Sequence, residues 1–313
     1  MSKSVVVYCV TGAHLQLTAV SIASILEHYR TKKPLQINVV CEGVRQEDIR
    51  FIRELPRIYG KPQVTVDLWS IPGEIKKIRP DFTIGSGVPV PPMAIWRLFM
   101  PNYFSTYDKM LYLDNDTMIN TDISEIFAQL DQTHVLAAVK DFLFATDRNY
   151  GPDRFNAPVA YGIKSMRNYF NNGVMIINVK QFNQLIPVDK LLDTINTTHW
   201  HLADQTIINI LIGDKVKYLP YRYNFQHSLA FFKNKDVEWV PQLVKQVTDE
   251  YPHIIIRHFA GTGHLTCPYQ HVRLADEWEA EFLRVLINVK RLSFMSSPVH
   301  PVQPVPMHAE HYE

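Results

Sequence analysis

The sequence is poor in cysteine: 313 residues contain three, an odd number. That argues against a disulfide framework and points to a reduced, cytoplasmic protein. Long apolar runs are missing as well. None approaches the roughly 18 residues of a membrane-crossing helix. The stretch Val5–Val10 is too short for the apolar core of a secretory signal. Nor is one sign of charge in excess, since 32 Lys and Arg stand against 31 Asp and Glu, for a net charge of +1. That balance argues against a basic nucleic-acid-binding face and against an acid-rich disordered chain. No internal repeat is visible. What is present is core-forming material: 46% of residues are hydrophobic, enough for one large α/β domain or two smaller ones.

The apolar residues are grouped as an α/β protein groups them. Val5–Val10 is a short run rich in β-branched residues, expected to be a buried strand of a parallel sheet. After a Thr11-Gly12 turn, Ala19, Ile22, Ala23 and Leu26 recur at helical spacing. Strand patterns follow at Ile37–Cys41 and Val64–Leu68, with a helix through Ile49, Ile52 and Leu55 between them. Further strands are expected at Lys109–Leu113, Val135–Val139, Gly173–Val179 and Ile254–Ile256, the last running on to His258. A helix is expected after Asp204-Gln205. Alternation of this kind indicates βαβ units with right-handed crossovers. Residues 72–92 and 142–169 read as long functional loops. Cys9 and Cys41 read as small buried hydrophobes.

In open α/β sheets, ligands bind beyond the carboxyl ends of the strands. That rule selects Thr11, Asp114-Asn115-Asp116, Asp141 and His258. Two carboxylates two residues apart, just past a buried strand, are hard oxygen ligands suited to Mg²⁺ or Mn²⁺, and a histidine ligand tilts the choice toward Mn²⁺. Asp-Asn-Asp also has other readings. It can be a turn with side-chain-to-backbone hydrogen bonds. It also resembles the nucleophile motif of haloacid-dehalogenase-type aspartyl phosphatases, in which the first Asp attacks phosphorus. His199-Trp200-His201 is weak as a metal site, having no third ligand nearby.

The order of motifs resembles glycosyltransferase family 8. Asp114-Asn115-Asp116 after Leu111-Tyr112-Leu113 is similar to the family's D-x-D, and Trp96-Arg97-Leu98 to its arginine-bearing helix. Phe170-Asn171-Asn172-Gly173-Val174 followed by Asn178, then Asp204-Gln205, then His258-Phe259-Ala260-Gly261, resemble its later blocks in sequence order. The resemblance covers roughly residues 4–270. It implies a retaining, metal-dependent hexosyltransferase of GT-A fold, with a mostly parallel Rossmann-like sheet flanked by helices and a UDP-sugar donor. Asp114, Asp116 and His258 would hold the metal. Cys9, Thr11 and the Asn115 backbone would line the nucleotide pocket. Arg97, Asn171 and Asp204 would hold the donor sugar, and Gly261 and His264 would lie at the diphosphate. Gln205 stands where a nucleophile has been proposed, and Asp141 is a candidate acceptor contact. The acceptor would be a glycan, lipid-linked or on a protein. A catalytically degenerate protein that only binds a nucleotide or glycan is the alternative, motivated by two departures from the family pattern. Thr11 replaces an acidic uracil-binding residue, and His264 stands near where a lysine normally meets the diphosphate.

The resemblance divides the chain into a GT-A domain over 1–270, a helical segment over 271–295 and a flexible Pro/His-rich tail over 296–313. Arg284, Lys290 and Arg291 among apolar neighbours suggest weak contact with the inner face of an anionic membrane. The other reading of that segment is an amphipathic helix packed on the core.

Overall fold

Apolar strands and the helices that cover them account for the architecture of the computed structural model. It describes residues 3–70, 75, 78, 83–84, 88–89, 92–145, 163, 166–197, 203–233, 240–260 and 268–296. The strands are β1 (Ser4–Thr11), β2 (Leu35–Glu42), β3 (Val64–Trp69), the two-residue pair β4 (Thr83–Ile84) and β5 (Val88–Pro89), β6 (Lys109–Leu113), β7 (Thr117–Ile119), β8 (Leu136–Lys140), β9 (Phe170–Asn178), β10 (Val216–Tyr218) and β11 (Ile256–His258). Seven of them form one sheet in the order β10-β8-β9-β6-β1-β2-β3. All neighbours are parallel except β9, which runs antiparallel to both β6 and β8. The expected mostly parallel α/β sheet is therefore present. Val5–Val10 lies fully buried at its centre, in register with β2 on one side and β6 on the other.

Helix α1 (Leu15–His28) is buried along far more than the four-residue face read from its periodicity. The sheet covers one side, and the C-terminal helix packs on α1 from outside, so Leu15 and Leu17–Leu26 are all buried. That C-terminal helix, Glu277–Ser296, inserts Phe282, Val285, Leu286 and Val289 into the core. Among the described residues, no helix is long and apolar enough to cross a membrane.

Two strands, β9 and β11, differ from expectation in ways that bear on the site. Strand β9 starts at Phe170 and stops at Asn178, because the Asn178 side chain accepts from Gln181 N and caps a helix starting at Val179. The late strand ends at His258 as expected but starts at Ile256 rather than Ile254, and it lies outside the main sheet, antiparallel to β7 with His258 opposite Thr117. Residues 254 and 255 instead leave a 3-10 turn at Tyr251–His253, and Ile255 N donates to Arg222 O at 2.8 Å. This small β7–β11 ribbon brings His258 beside the Asp114–Asp116 loop. The Pro/His-rich tail, His199-Trp200-His201, Cys267 and most of the two long loops lie outside the described residues.

Candidate active site

Asp114 follows the last residue of β6, and Asp116 precedes the first residue of β7. Backbone bonds fix the loop between them. Asp114 N donates to Gly173 O at 2.7 Å, and Phe259 N donates to Asp116 O at 2.9 Å. The second bond ties the aspartate loop to the residue after His258. As a result the ligand atoms of Asp114, Asp116 and His258 all lie within 4.8 Å of one another. His258 Nε2 is 3.2 Å from Asp116 and 3.7 Å from Asp114. Burial disfavours charge on both partners, but their mutual attraction and hydrogen bond outweigh it. Asp116 is held below the usual carboxylate range and His258 above the usual imidazole range.

Two carboxylate oxygens and an imidazole nitrogen converging on one point are a donor set for a divalent cation, with Mn²⁺ better suited than Mg²⁺ to the nitrogen. Gly173 supplies a second indication of fit. A Cβ at this position would lie 2.6 Å from Asp114 Oδ2 and would also collide with the His258 ring. The side chain is absent where Asp114 and His258 face each other.

Beside this corner lies a buried guanidinium. Arg97, just past helix Pro92–Trp96, bridges Asp114 at 3.0 Å and Asp204 at 3.1 Å. It also donates to the Asn172 carbonyl and side-chain oxygens at 3.3 and 3.2 Å, and its Cζ lies 4.9 Å from the centre of the Tyr112 ring. Burial works against its charge, but the Asp114 carboxylate and then the other groups around it overcome this and keep it firmly protonated. Asp204, at the start of helix Ala203–Ile212, also accepts from Asn172 Nδ2 at 2.7 Å. Its carboxyl is raised by burial, against the lowering effect of Arg97 and of the Asn172 hydrogen bond.

A third group consists of amides around one carboxylate. Gln205 Nε2 donates to Asp141 Oδ2 at 3.1 Å, and Asn171 Nδ2 donates to the same oxygen at 3.3 Å and to Gln205 Oε1 at 3.2 Å. Asp141 follows a register shift in the β8–β9 pairing between Ala138 and Lys140. Such irregularities often redirect a side chain at a site. Its carboxyl is raised by burial despite these donors.

The structure therefore gathers most of the residues selected from sequence. Asp114, Asp116 and His258 form one corner, Arg97 and Asp204 the next, and Asn171, Gln205 and Asp141 the third. Cys9 is buried in β1, within the electrostatic reach of Arg97 and Asp114; burial pushes its thiol far up. Thr11 ends β1 opposite Glu42 and caps the following turn without a side-chain hydrogen bond. Asn115 is half-buried in the aspartate loop. Gly261 and His264 lie outside the described residues. Sequence reasoning missed Asn224, whose Oδ1 is 2.9 Å from His258 Nδ1, and the role of Asn172 between Arg97 and Asp204. Asn224 sits in Tyr223-Asn224-Phe225-Gln226, a run with no acid, base or metal-ligand spacing to mark it.

A mostly parallel sheet with paired aspartates just past β6, and a histidine brought to them by the β7–β11 ribbon, is the architecture of a GT-A glycosyltransferase. The sequence model of glycosyl transferase family 8 matches residues 5–263, and the chain belongs to that family. This assignment replaces the aspartyl-phosphatase alternative. Among curated relatives, a lipopolysaccharide 1,2-glucosyltransferase of Escherichia coli is 26% identical over 281 residues, covering 87% of this chain and 74% of the relative. Glycosyltransferase GlyE of Streptococcus pneumoniae is 30% identical over 155 residues, 48% of this chain and 33% of that protein. Among solved structures, the bifunctional glycosyltransferase WbbM superposes with a TM-score of 0.75 at 19% identity, covering 93% of this chain and 52% of its own. The chain thus spans about half of WbbM. An active-site mutant of LgtC gives 0.69 at 18% identity, covering 90% of this chain and 95% of that one.

Proposed function

We propose that this glycosyltransferase moves a hexose, glucose or galactose, from a UDP-sugar to a glycan acceptor with retention at the anomeric carbon. The observation that carries the proposal is the convergence of Asp114, Asp116 and His258 beside the Arg97–Asp204 pair. A structural neighbour, the galactosyltransferase LgtC, has been solved with donor and acceptor sugar analogues, and a curated relative is a glucosyltransferase. Asp114, Asp116 and His258 are suited to Mn²⁺, with Mg²⁺ as the second choice. Such an ion, when bound, neutralises the diphosphate leaving group. Thr11, Cys9 and the Asn115 backbone border the nucleotide side, and Gly261 and His264 are assigned to the diphosphate. Arg97, Asn171 and Asp204 present one cation, one amide and one carboxylate to sugar hydroxyls, with Asn172 bridging Arg97 and Asp204. Burial lets each contact discriminate strongly, because an unpaired buried partner is costly.

Gln205 is the residue on which the retaining step turns. Its Oε1 already accepts from Asn171 Nδ2 at 3.2 Å and from Asn172 N at 3.4 Å. A carboxamide oxygen committed to two donors is a poor nucleophile. We therefore favour attack by the acceptor hydroxyl on the face that the diphosphate leaves, with Gln205 orienting the sugar. Asp141 lies beyond Gln205 and is assigned to the acceptor side. On the surface, the C-terminal helix exposes Ile287, Phe294 and Met295 near Lys290 and Arg291. That surface suits weak contact with the cytoplasmic face of an anionic membrane and a lipid-linked acceptor.

The test is to incubate the protein with a panel of nucleotide sugars, with and without Mn²⁺, and to measure nucleotide release. Metal-dependent UDP release that is lost in Asp116→Ala is expected. Metal-dependent nucleotide binding with no release from any sugar would sink the enzymatic reading in favour of a degenerate binder.

A further inference from the structure

The metal corner and the amide cluster are joined by one buried residue, Asn224. Its Oδ1 lies 2.9 Å from His258 Nδ1, and its Nδ2 lies 2.9 Å from Asn171 Oδ1. Asn171 Oδ1 in turn accepts from the backbone of Gly173 at 3.0 Å. Asn171, Asn224 and His258 are all buried. Backbone pairing holds both ends. Phe225 N donates to Ile256 O and His258 N donates to Phe225 O, each at 2.9 Å, so Asn224 and His258 are carried on bonded segments.

The direction of this chain follows from one donor whose identity is not in doubt. A backbone N–H can only donate, so the Asn171 atom facing Gly173 N is its oxygen. That oxygen also faces Asn224, so Asn224 must present its NH₂ there and its oxygen to His258. An oxygen facing His258 Nδ1 requires the proton on Nδ1. Nε2 is then the nitrogen aimed between Asp114 and Asp116, and the proton it shares with Asp116 at 3.2 Å must leave before it can ligate a metal. The carboxylate of Asp141, which accepts from Asn171 Nδ2, gives the same orientation for Asn171 from the opposite end.

We propose that Asn224 is a positioning residue that holds His258 in the metal-binding tautomer and ties that ligand to the sugar-side cluster of Asn171, Gln205 and Asp141. The proposal rests on the reading of Asp114, Asp116 and His258 as a metal site. Outer partners of a ligating histidine typically change metal affinity by about ten- to a hundredfold. Asn224 does so here through a bond whose polarity is set at Gly173.

Two variants separate its two contacts. Asn224→Leu removes both, whereas Asn224→Asp keeps an acceptor for Nδ1–H and loses the donor to Asn171. Titration with Mn²⁺ alone, followed by electron paramagnetic resonance, should show binding weakened about ten- to a hundredfold in N224L. N224D should bind Mn²⁺ about as tightly as wild type, and its kcat should fall with little change in KM for the donor. The wild-type protein gives a readout independent of any variant's folding. In ¹⁵N-histidine-labelled protein, His258 should show a slowly exchanging proton coupled to Nδ1. Absence of that proton overturns the proposal, as does N224L binding Mn²⁺ within about twofold of wild type while Asp116→Ala loses it. If Asp116→Ala itself binds Mn²⁺ normally, the metal-site reading fails instead.

Discussion

Arg97 stands 3.0 Å from Asp114, so the first aspartate of the candidate metal site already has a fixed positive neighbour on its flank. The same guanidinium is 3.1 Å from Asp204 and is almost buried, with 11% of its side chain exposed. Truncation would leave two poorly solvated carboxylates facing each other. Arg97→Ala is expected to lower unfolding free energy by about 3–5 kcal/mol, the range for a broken buried pair. Arg97→Lys should recover only part of it, because an ammonium lacks the planar fork that reaches both carboxylates. Urea unfolding of the two variants beside wild type checks this. Equal stability of R97A and wild type would contradict the role of Arg97 as the counter-cation.

Gly173→Ala tests the geometry of the metal corner without altering any charge. The added methyl would meet Asp114 Oδ2 at 2.6 Å and His258 Nδ1 at 3.0 Å. Both are ligand side chains, so the expected relief is movement of the ligands rather than unfolding of β9. Mn²⁺ affinity should fall by at least about tenfold, in line with the loss of one well-placed ligand contact. The far-ultraviolet circular dichroism spectrum should stay unchanged. Unaltered Mn²⁺ binding would show that Asp114 and His258 do not need the space that Gly173 leaves open.

Much of this arrangement is legible in the sequence because strand ends in an α/β sheet are legible. Val5–Val10 and Lys109–Leu113 are apolar runs with polar residues just beyond, and the sheet does place Thr11 and Asp114 at its carboxyl edge. His258 is less direct. It reaches Asp116 because β11 leaves the main sheet and pairs with β7, a three-residue strand too short to give a periodic signal. Asn224 gives no signal at all. Its importance comes from two hydrogen bonds to residues 34 and 53 positions away, and no local pattern encodes such pairings. Helix α1 is buried more widely than its periodicity implies, for a related reason. The periodicity of one segment cannot reveal that a helix more than 240 residues later covers its other side.

A pH dependence follows from His227. Burial pushes its imidazole down to about 3, with Arg257 and His258 adding to the effect. Its ring stacks on Phe231 at 4.1 Å and meets Phe142 edge-on at 6.0 Å. The unfolded chain takes up a proton near the usual imidazole value of about 6.5. The folded protein does not take it up until about pH 3. Between these values the unfolded state binds more protons, so stability falls as pH is lowered, by at most about 1.4 kcal/mol per pH unit. His227→Phe keeps the aromatic packing and removes the titration. Unfolding free energies of wild type and H227F should therefore diverge steadily from about pH 6.5 downward, with the variant the more stable. Parallel curves would place His227 in a wetter setting than its neighbours indicate.

The C-terminal helix is coupled to the site through two aromatic rings. Phe282 is fully buried, and its ring lies edge-on to Phe259 with 5.2 Å between centres. Phe259 N donates to Asp116 O at 2.9 Å, so the ring that Phe282 supports belongs to the residue anchoring the second aspartate. Phe282→Ala is expected to cost about 3–5 kcal/mol in stability, as for other buried Phe-to-Ala changes. It should also weaken Mn²⁺ binding, because Phe259 loses the contact that holds its backbone under Asp116. Val289→Ala is the control. Val289 is buried on the same helix, about two turns further on. Its truncation should lower the melting temperature and leave Mn²⁺ affinity unchanged. Mn²⁺ titrations of both variants, made well below their melting temperatures, distinguish support of the metal corner from general stability. Equal affinities in F282A and V289A would confine the helix to a packing role.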